Sequence, residues 1–364
     1  MRGPLGEPVG TSGRKNRSPR SERQRASRRA TSSINGSLTF SVDECWLGGW
    51  RGPSVFEAGA DGIRLVTDAG VRPTAHLPGT VLPGFVDAHV HLGLVDATAL
   101  SAGGIAAVDD LGWVPDVART WPGSPGWPEV RFAGAFLTAP GGYPTGRRWA
   151  PAASVEEITS PSQAPAAIDR QLAAGASFIK VTLNSDVGPV LDDATLHALV
   201  GHAHARGTTV TAHAQGSGQA ARAFDAGVDR LAHAPWTERL DDALLKAMTP
   251  AQSWVSTLDI HGWGDYGEDF AVAADNVRRF HALGGTVVYG TDLGNGPLPL
   301  GINERELRAF AAVGIDGDDV VRALVAPEFG AGLSYLPGER PTDTAGWLAT
   351  ASVIRTAELR ERFA

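Results

Sequence analysis

Six side chains spread over about 200 residues of this sequence have the types and spacing to do chemistry. His89 and His91 stand two apart in Pro83-Gly84-Phe85-Val86-Asp87-Ala88-His89-Val90-His91, an apolar run that reads as a strand. Residues two apart on a strand point to the same side, so both imidazoles face one way, as two ligands of one ion must. Lys180 sits among apolar neighbours in Phe178-Ile179-Lys180-Val181. His213 and His233 close two further apolar runs, and Asp292 closes Tyr289-Gly290-Thr291-Asp292. Imidazole and carboxylate are ligands of zinc, iron, nickel or manganese. An ammonium would repel such an ion, but a buried lysine loses its proton readily. Its neutral amine can take up carbon dioxide as a carbamate, an anionic two-oxygen group able to bridge two metals. Only three lysines, Lys15, Lys180 and Lys246, stand among 32 basic residues. Arginine could not form a carbamate, which is a physical reason for Lys180 to be lysine.

The six residues must be held by alternating strands and helices. Strands are expected at Phe85–Leu92, Ile105–Leu111, Val130–Leu137, Phe178–Leu183, Thr208–His213, Arg230–His233, Trp254–Leu258 and Thr286–Tyr289. Amphipathic stretches lie between them. In residues 192–206, Leu196, Leu199, Val200 and Ala203 share a face and Gly207 supplies a stop. The alternation implies parallel α/β structure. Eight units over residues 81–328 match a (β/α)8 TIM barrel, whose active site lies at the C-terminal strand ends where these polar groups fall. An open doubly wound sheet is the alternative. Residues 37–80 and 329–364 are expected to build a small β-domain flanking the barrel, with strand-like runs at Leu38–Val42 and Gly62–Thr67.

Residue types and order together resemble the amidohydrolase superfamily of metal-dependent hydrolases, in its imidazolonepropionase-like and prolidase-like branch. The stretch from Pro83 to His91 looks like that family's first-strand signature. Ile179-Lys180-Val181, His213, His233 and Tyr289-Gly290-Thr291-Asp292 follow in the family's order. The resemblance covers roughly residues 75–335. It implies that His89, His91 and Asp292 bind one metal, that His213 and His233 bind a second, and that carboxylated Lys180 bridges them. Two zinc ions are implied, with manganese, iron or nickel as other occupants. The implied reaction is cleavage of a C–N bond in an amide or cyclic amide by a metal-bound hydroxide, with Asp292 shuttling the proton. A one-metal site would leave Lys180 unmodified and paired with a carboxylate. Hydrolysis of a lactone or a prolidase-type dipeptide at the same site, or a non-catalytic ligand-binding barrel, are the alternatives. Two departures stand out. Relatives often carry a histidine after the paired glycines following the third strand, where Gly141-Gly142 here leads to Tyr143. Pro341-Thr342-Asp343-Thr344 stands where a closing strand is usual, pointing to a reduced or rearranged small domain.

Substrate contacts are expected from Tyr143, Arg147, His261 and Trp263 on the loops after the strands, with Trp113, Trp149, Trp236 and Tyr266 making the mouth aromatic. Arg147 and Arg148 could hold a carboxylate. His202 and His204 also form His-x-His, but on a helix, where residues two apart diverge, so they receive no metal role. Gly216-Ser217-Gly218-Gln219-Ala220-Ala221 fits a dinucleotide pattern, yet no acidic residue closes the next strand.

Composition narrows the class further. Hydrophobic residues at 43% and charged residues at 20% suit a globular protein with a sizeable core. The lone Cys45 leaves no disulfide framework and no multi-cysteine cluster. Residues 1–32 carry a balance of +7 against −8 for the whole, so the remainder stands at −15. Residues 1–36 are polar and Arg/Ser-rich and read as a disordered basic tail. No apolar core follows Arg28-Arg29, so no twin-arginine signal is expected, and the location is expected to be cytoplasmic. The acidic body argues against nucleic acid, and no apolar run is long enough for a membrane. The expected partner is a small amide-type molecule, with a homo-oligomer left open.

Overall fold

The structure, a computed structural model, describes residues 37–327, 329–330 and 332–363. The basic tail expected at 1–36 lies outside them.

One sheet is built from both ends of the described chain. Its strands run in the order Ser352–Arg355, Gly332–Leu336, Ala75–Pro83, Leu38–Trp46, Ser54–Gly59 and Gly62–Leu65, with Trp50–Arg51 added beside Leu38–Trp46. Every pairing is antiparallel except that of Leu38–Trp46 with Ala75–Pro83. Alternation buries Phe40, Val42, Phe56, Leu77, Val81 and Leu333 on one face. Phe40 and Phe56 are register partners, and their rings stack 5.7 Å apart.

The strand Ala75–Pro83 was hidden by its own composition. Pro78 cannot donate to a ladder and Gly79 adopts φ +112°. The structure accommodates both at a register shift, where Asp43 accepts from Gly79 N at 2.7 Å and Tyr335 donates to the Pro78 carbonyl at 2.8 Å. This strand carries the sheet past residue 80, so the expected boundary at 80/81 falls inside it. Around Pro341 the chain forms the helix Thr344–Leu348 rather than a strand.

The remaining strands are parallel. Val155–Glu157, Phe136–Thr138, Ile179–Asn184, Val210–Gln215, Arg230–Leu231, Ser253–Val255 and Thr286–Val288 form one curled sheet in that order. Val86–Val90, Ala107–Asp110 and Glu129–Phe132 form another. The single strand expected at Val130–Leu137 is therefore two, Glu129–Phe132 and Phe136–Thr138, interrupted at Gly134 with φ +80°. Glycine is needed there because the left-handed region penalises a side chain. Each half pairs with a different sheet. At the opposite limits, Ala88 N donates to the Tyr289 carbonyl at 3.0 Å and His91 N to the Leu293 carbonyl at 2.8 Å. These bonds tie the first parallel strand to the segment following the last.

Helices cover the outside, as the apolar periodicity requires. Asp192 accepts from Thr195 N at 2.7 Å and caps Asp193–Ala205, whose buried face includes Leu196, Leu199, Val200 and Ala203. Asp241 caps Asp242–Met248 in the same way. Glu268–Ala282 lays Phe280 on Trp254, ring on ring at 3.9 Å, which anchors that helix to the strand Ser253–Val255. Among the described residues no helix is long and apolar enough to cross a membrane.

Candidate metal centre

His89 and His91 leave the end of Val86–Val90 on the same side, and Asp292 reaches them from the loop after Thr286–Val288. One carboxylate oxygen, Asp292 Oδ1, lies 3.0 Å from His89 Nε2 and 3.3 Å from His91 Nε2. All three residues are buried, and their ligand atoms converge closely enough for one ion. The His89 ring centroid is 4.6 Å from that of His233, which is 5.0 Å from that of His213. Lys180 is buried on Ile179–Asn184, in register with Thr211, and its same-side neighbour Thr182 is in register with His213. All six sequence-singled residues line one cavity of about 240 Å³.

The ring nitrogens are sorted by their partners. A carbonyl only accepts, so the Ala232 oxygen 2.7 Å from His89 Nδ1 places the proton there and leaves Nε2 with its lone pair. The Gly112 oxygen does the same for His91 at 3.3 Å. Thr257 Oγ1 holds His233 Nδ1 at 2.9 Å. His213 is engaged at Nε2, by Gln215 Oε1 at 3.2 Å and Asn184 Nδ2 at 3.3 Å, which leaves Nδ1. His89 Nε2 makes no well-directed hydrogen bond despite its short approach to Asp292. A buried lone pair of this kind, aimed at a carboxylate that is aimed back at it, is what a cation between them would satisfy. The donor set thus fits a divalent ion.

Electrostatics shift several of these groups toward the forms that bind a cation. Burial lowers His89 to about 4 and His213 to about 3, and drives His233 well below the ordinary value. Burial alone would raise the Asp292 carboxyl. The surrounding histidines, His89 first and then His91 and His233, overcome it and hold the group well below the carboxylate range. Burial also brings Lys180 down to about 7, against the pull of Asp292 and Asp110. The shift favours the neutral amine, the form that carbamate formation requires.

Three comparisons bear on this arrangement. No family model matches the chain. Among curated proteins, an uncharacterized protein of Mycobacterium tuberculosis strain H37Rv is 27% identical over 278 residues, spanning 67% of this chain and 72% of its own, and an uncharacterized protein of Mycobacterium bovis matches to the same extent. Among solved structures, a Xaa-Pro dipeptidase with bound methionine has a TM-score of 0.73 at 18% identity over 88% of this chain and 98% of that one. A prolidase from Bifidobacterium longum gives 0.71 at 22%, and an ochratoxinase from A. niger gives 0.70 at 16%, each over 88% of this chain and 94% of the other. The chain shares the fold of these solved structures.

The cavity wall includes three expected aromatics, Tyr143, Trp149 and Trp236. Tyr143 stacks on His213 at 5.1 Å. The other expected contacts stand back from it. Arg147 is exposed, with its guanidinium 5.8 Å from the Tyr143 ring. His261 packs behind Trp236 at 5.2 Å, and Trp263 donates to the Asn295 carbonyl at 3.2 Å. Trp113 is buried over Gly93, where a Cβ would meet its ring at 2.0 Å, and Tyr266 donates to Asp259 Oδ1 at 2.9 Å. His202 and His204 lie on the helix Asp193–Ala205, each beside an aspartate, Asp169 and Asp229.

Sequence reading passed over the residues that hold the candidate ligands. Asp87 Oδ1 accepts from His89 N at 3.1 Å and Thr291 N at 3.0 Å, and Oδ2 accepts from Thr291 Oγ1 at 2.6 Å. It ties the strand bearing His89 and His91 to the loop bearing Asp292. Its signal was available: Asp87, His89 and His91 alternate on one strand face. Asp110 accepts from Leu92 N at 2.7 Å and Gly112 N at 3.1 Å, fixing the turn whose carbonyl holds His91. Glu306 accepts from Leu258 N at 2.9 Å and Asp259 N at 2.7 Å beyond Thr257. Nothing in the sequence places Glu306 near residue 257.

Proposed function

We propose that this chain is a metal-dependent hydrolase that cleaves a C–N bond in a small amide. The observation that carries this reading is the convergence of four imidazoles, Asp292 and Lys180 on one cavity. Prolidase-like and amidohydrolase structures are its neighbours in fold, and their names describe C–N hydrolases. The parallel strands, tied end to end by the bonds of Ala88 and His91, are read as a closed (β/α)8 barrel. The flanking sheet is read as the small β-domain.

His89, His91 and Asp292 would hold one divalent ion, and His213 and His233 a second, with carboxylated Lys180 between them. Such ions activate water and polarise the scissile carbonyl. Water adds to the carbonyl carbon, the C–N bond breaks, and acid and amine leave. Asp292 takes the proton released by the attacking water and delivers it to the departing nitrogen. Its neighbour Asn295 donates Nδ2 to Asp292 Oδ2 at 2.9 Å, which fixes the carboxylate plane while Oδ1 faces the histidines. Tyr143, Trp149 and Trp236 wall off bulk water around the reacting bond.

Metal analysis of the purified full chain, together with a panel of amides, dipeptides and lactones assayed with and without chelator, tests the reading. About two metals per chain and chelator-sensitive release of amine are expected. Metal-free protein that turns over nothing after loading with zinc, manganese, iron or nickel would sink it. A ratio near one with amide turnover would instead support the one-metal form with Lys180 unmodified.

A further inference from the structure

The cavity carries information about charge that its metal-ligating residues do not. Apart from those residues, its wall is formed mainly by Leu94, Phe136, Tyr143, Trp149, Trp236 and Ile260. Among the described residues no arginine lines it, the only lysine is Lys180, and the only carboxylate is Asp292. The side chains of Thr182, Gln215 and Asn295 are already engaged. Thr182 donates to the Tyr143 carbonyl. Gln215 accepts from Asn184 at 2.6 Å and donates to Asp186 at 3.2 Å. Asn295 gives its amide to Asp292. Arg147, the natural candidate for a carboxylate clamp, stands exposed beside Tyr143 and contributes nothing to the wall.

A dipeptide or an N-acyl amino acid carries a carboxylate one or two atoms from the scissile nitrogen. Any ions held by the histidines are taken up by the reacting water and the scissile carbonyl, and the wall supplies no further cation, so burying this carboxylate in the aromatic box costs far more than the box returns. An ammonium meets the same obstacle, because Asp292 is committed to the histidines. Flat apolar groups, by contrast, find ring faces on several sides.

Resting on the hydrolase reading for the position of the scissile bond, we infer that this site takes an uncharged amide bearing an aromatic group, and disfavours the carboxylate-bearing substrates of dipeptidases. The specificity comes from Leu94, Trp149 and Trp236, with Leu94 at the mouth, 37% exposed.

Three matched probes test this on the metal-loaded full chain: acetanilide, 4-acetamidobenzoate and 4-(aminomethyl)acetanilide, which share a scissile amide and differ in a remote charge. Binding is measured by calorimetry and turnover by amine release. Acetanilide is expected to bind about tenfold or more tighter than either charged partner, and its kcat/KM to exceed theirs by at least the same factor. Leu94→Arg, which puts a cation at the mouth, is expected to narrow the gap to the benzoate about tenfold without narrowing the gap to the amine. Equal or tighter binding of the benzoate by the wild-type chain would overturn the inference, as would no binding of any probe. The expected binding order with no turnover of any probe would sustain the inference and count against the hydrolase reading. Turnover led by the benzoate would do the reverse. The wild-type comparison decides the matter if Leu94→Arg fails to fold.

Discussion

Thr257 holds His233 through a hydroxyl 2.9 Å from the imidazole Nδ1, and it does so from a left-handed backbone at φ +42°. A β-branched residue in that region is strained, by about 1–3 kcal/mol, and persists only where neighbours impose it. Here they do. Thr257 N donates to the Gly290 carbonyl at 3.1 Å, and Glu306 gathers the next two amides. Asp292 is also left-handed, at φ +56°. Two of the three described non-glycine residues at positive φ thus either belong to the proposed ligand set or hold a member of it.

Thr257→Val keeps the shape and removes the hydroxyl. It is expected to weaken metal binding about 10–100-fold, as loss of a partner behind a ligating histidine does. Metal titration of the stripped protein checks this. Unchanged affinity would mean that the hydroxyl does not orient His233.

Asp292→Asn preserves size while removing the charge and the proton acceptor. The rate of amide hydrolysis should fall by about 10²–10⁴-fold or more, since both a ligand and a general base are lost. Measuring kcat beside metal content separates the two roles. Full activity in the Asp292→Asn variant would exclude this carboxylate from the chemistry.

Gly112 sits at φ +142°, and a Cβ there would lie 2.4 Å from the Phe136 ring. Gly112→Ala should destabilise the protein by about 1–3 kcal/mol through overpacking. It should also disturb His91, which the Gly112 carbonyl holds at 3.3 Å, and so lower metal affinity. Denaturant midpoints and metal titration test the two effects, and a neutral result for stability would show that Phe136 can move aside.

Glu306 gives a pH signature away from the metal ligands. Burial raises its carboxyl from 4.5 to about 7, against the lowering effect of its hydrogen bonds. Between those values the folded state holds a proton that the unfolded state has released. Stability from this group is therefore full below about 4.5 and is lost as pH rises through about 7, an effect on the order of 3 kcal/mol. Relative to Glu306→Gln, the wild type should lose denaturant resistance between pH 5 and pH 8. Parallel pH profiles for the two proteins would refute this.

Much of this molecule follows from local pattern. A His-x-His pair on an apolar run, an isolated lysine in a lysine-poor chain and three polar strand ends single out the proposed ligand set, because side-chain alternation and chemical type are properties of neighbouring residues. The helix caps at Asp192 and Asp241 are equally local. Tertiary structure decided what depends on residues far apart in sequence. It split the third strand at Gly134 and extended the flanking sheet through Pro78, since partners on other strands supply what those residues lack. It placed Asp87 against Thr291 and Glu306 against the amides beyond Thr257. It also turned Arg147 away from the cavity and left an aromatic wall, because the direction of a loop side chain is set by what packs around it.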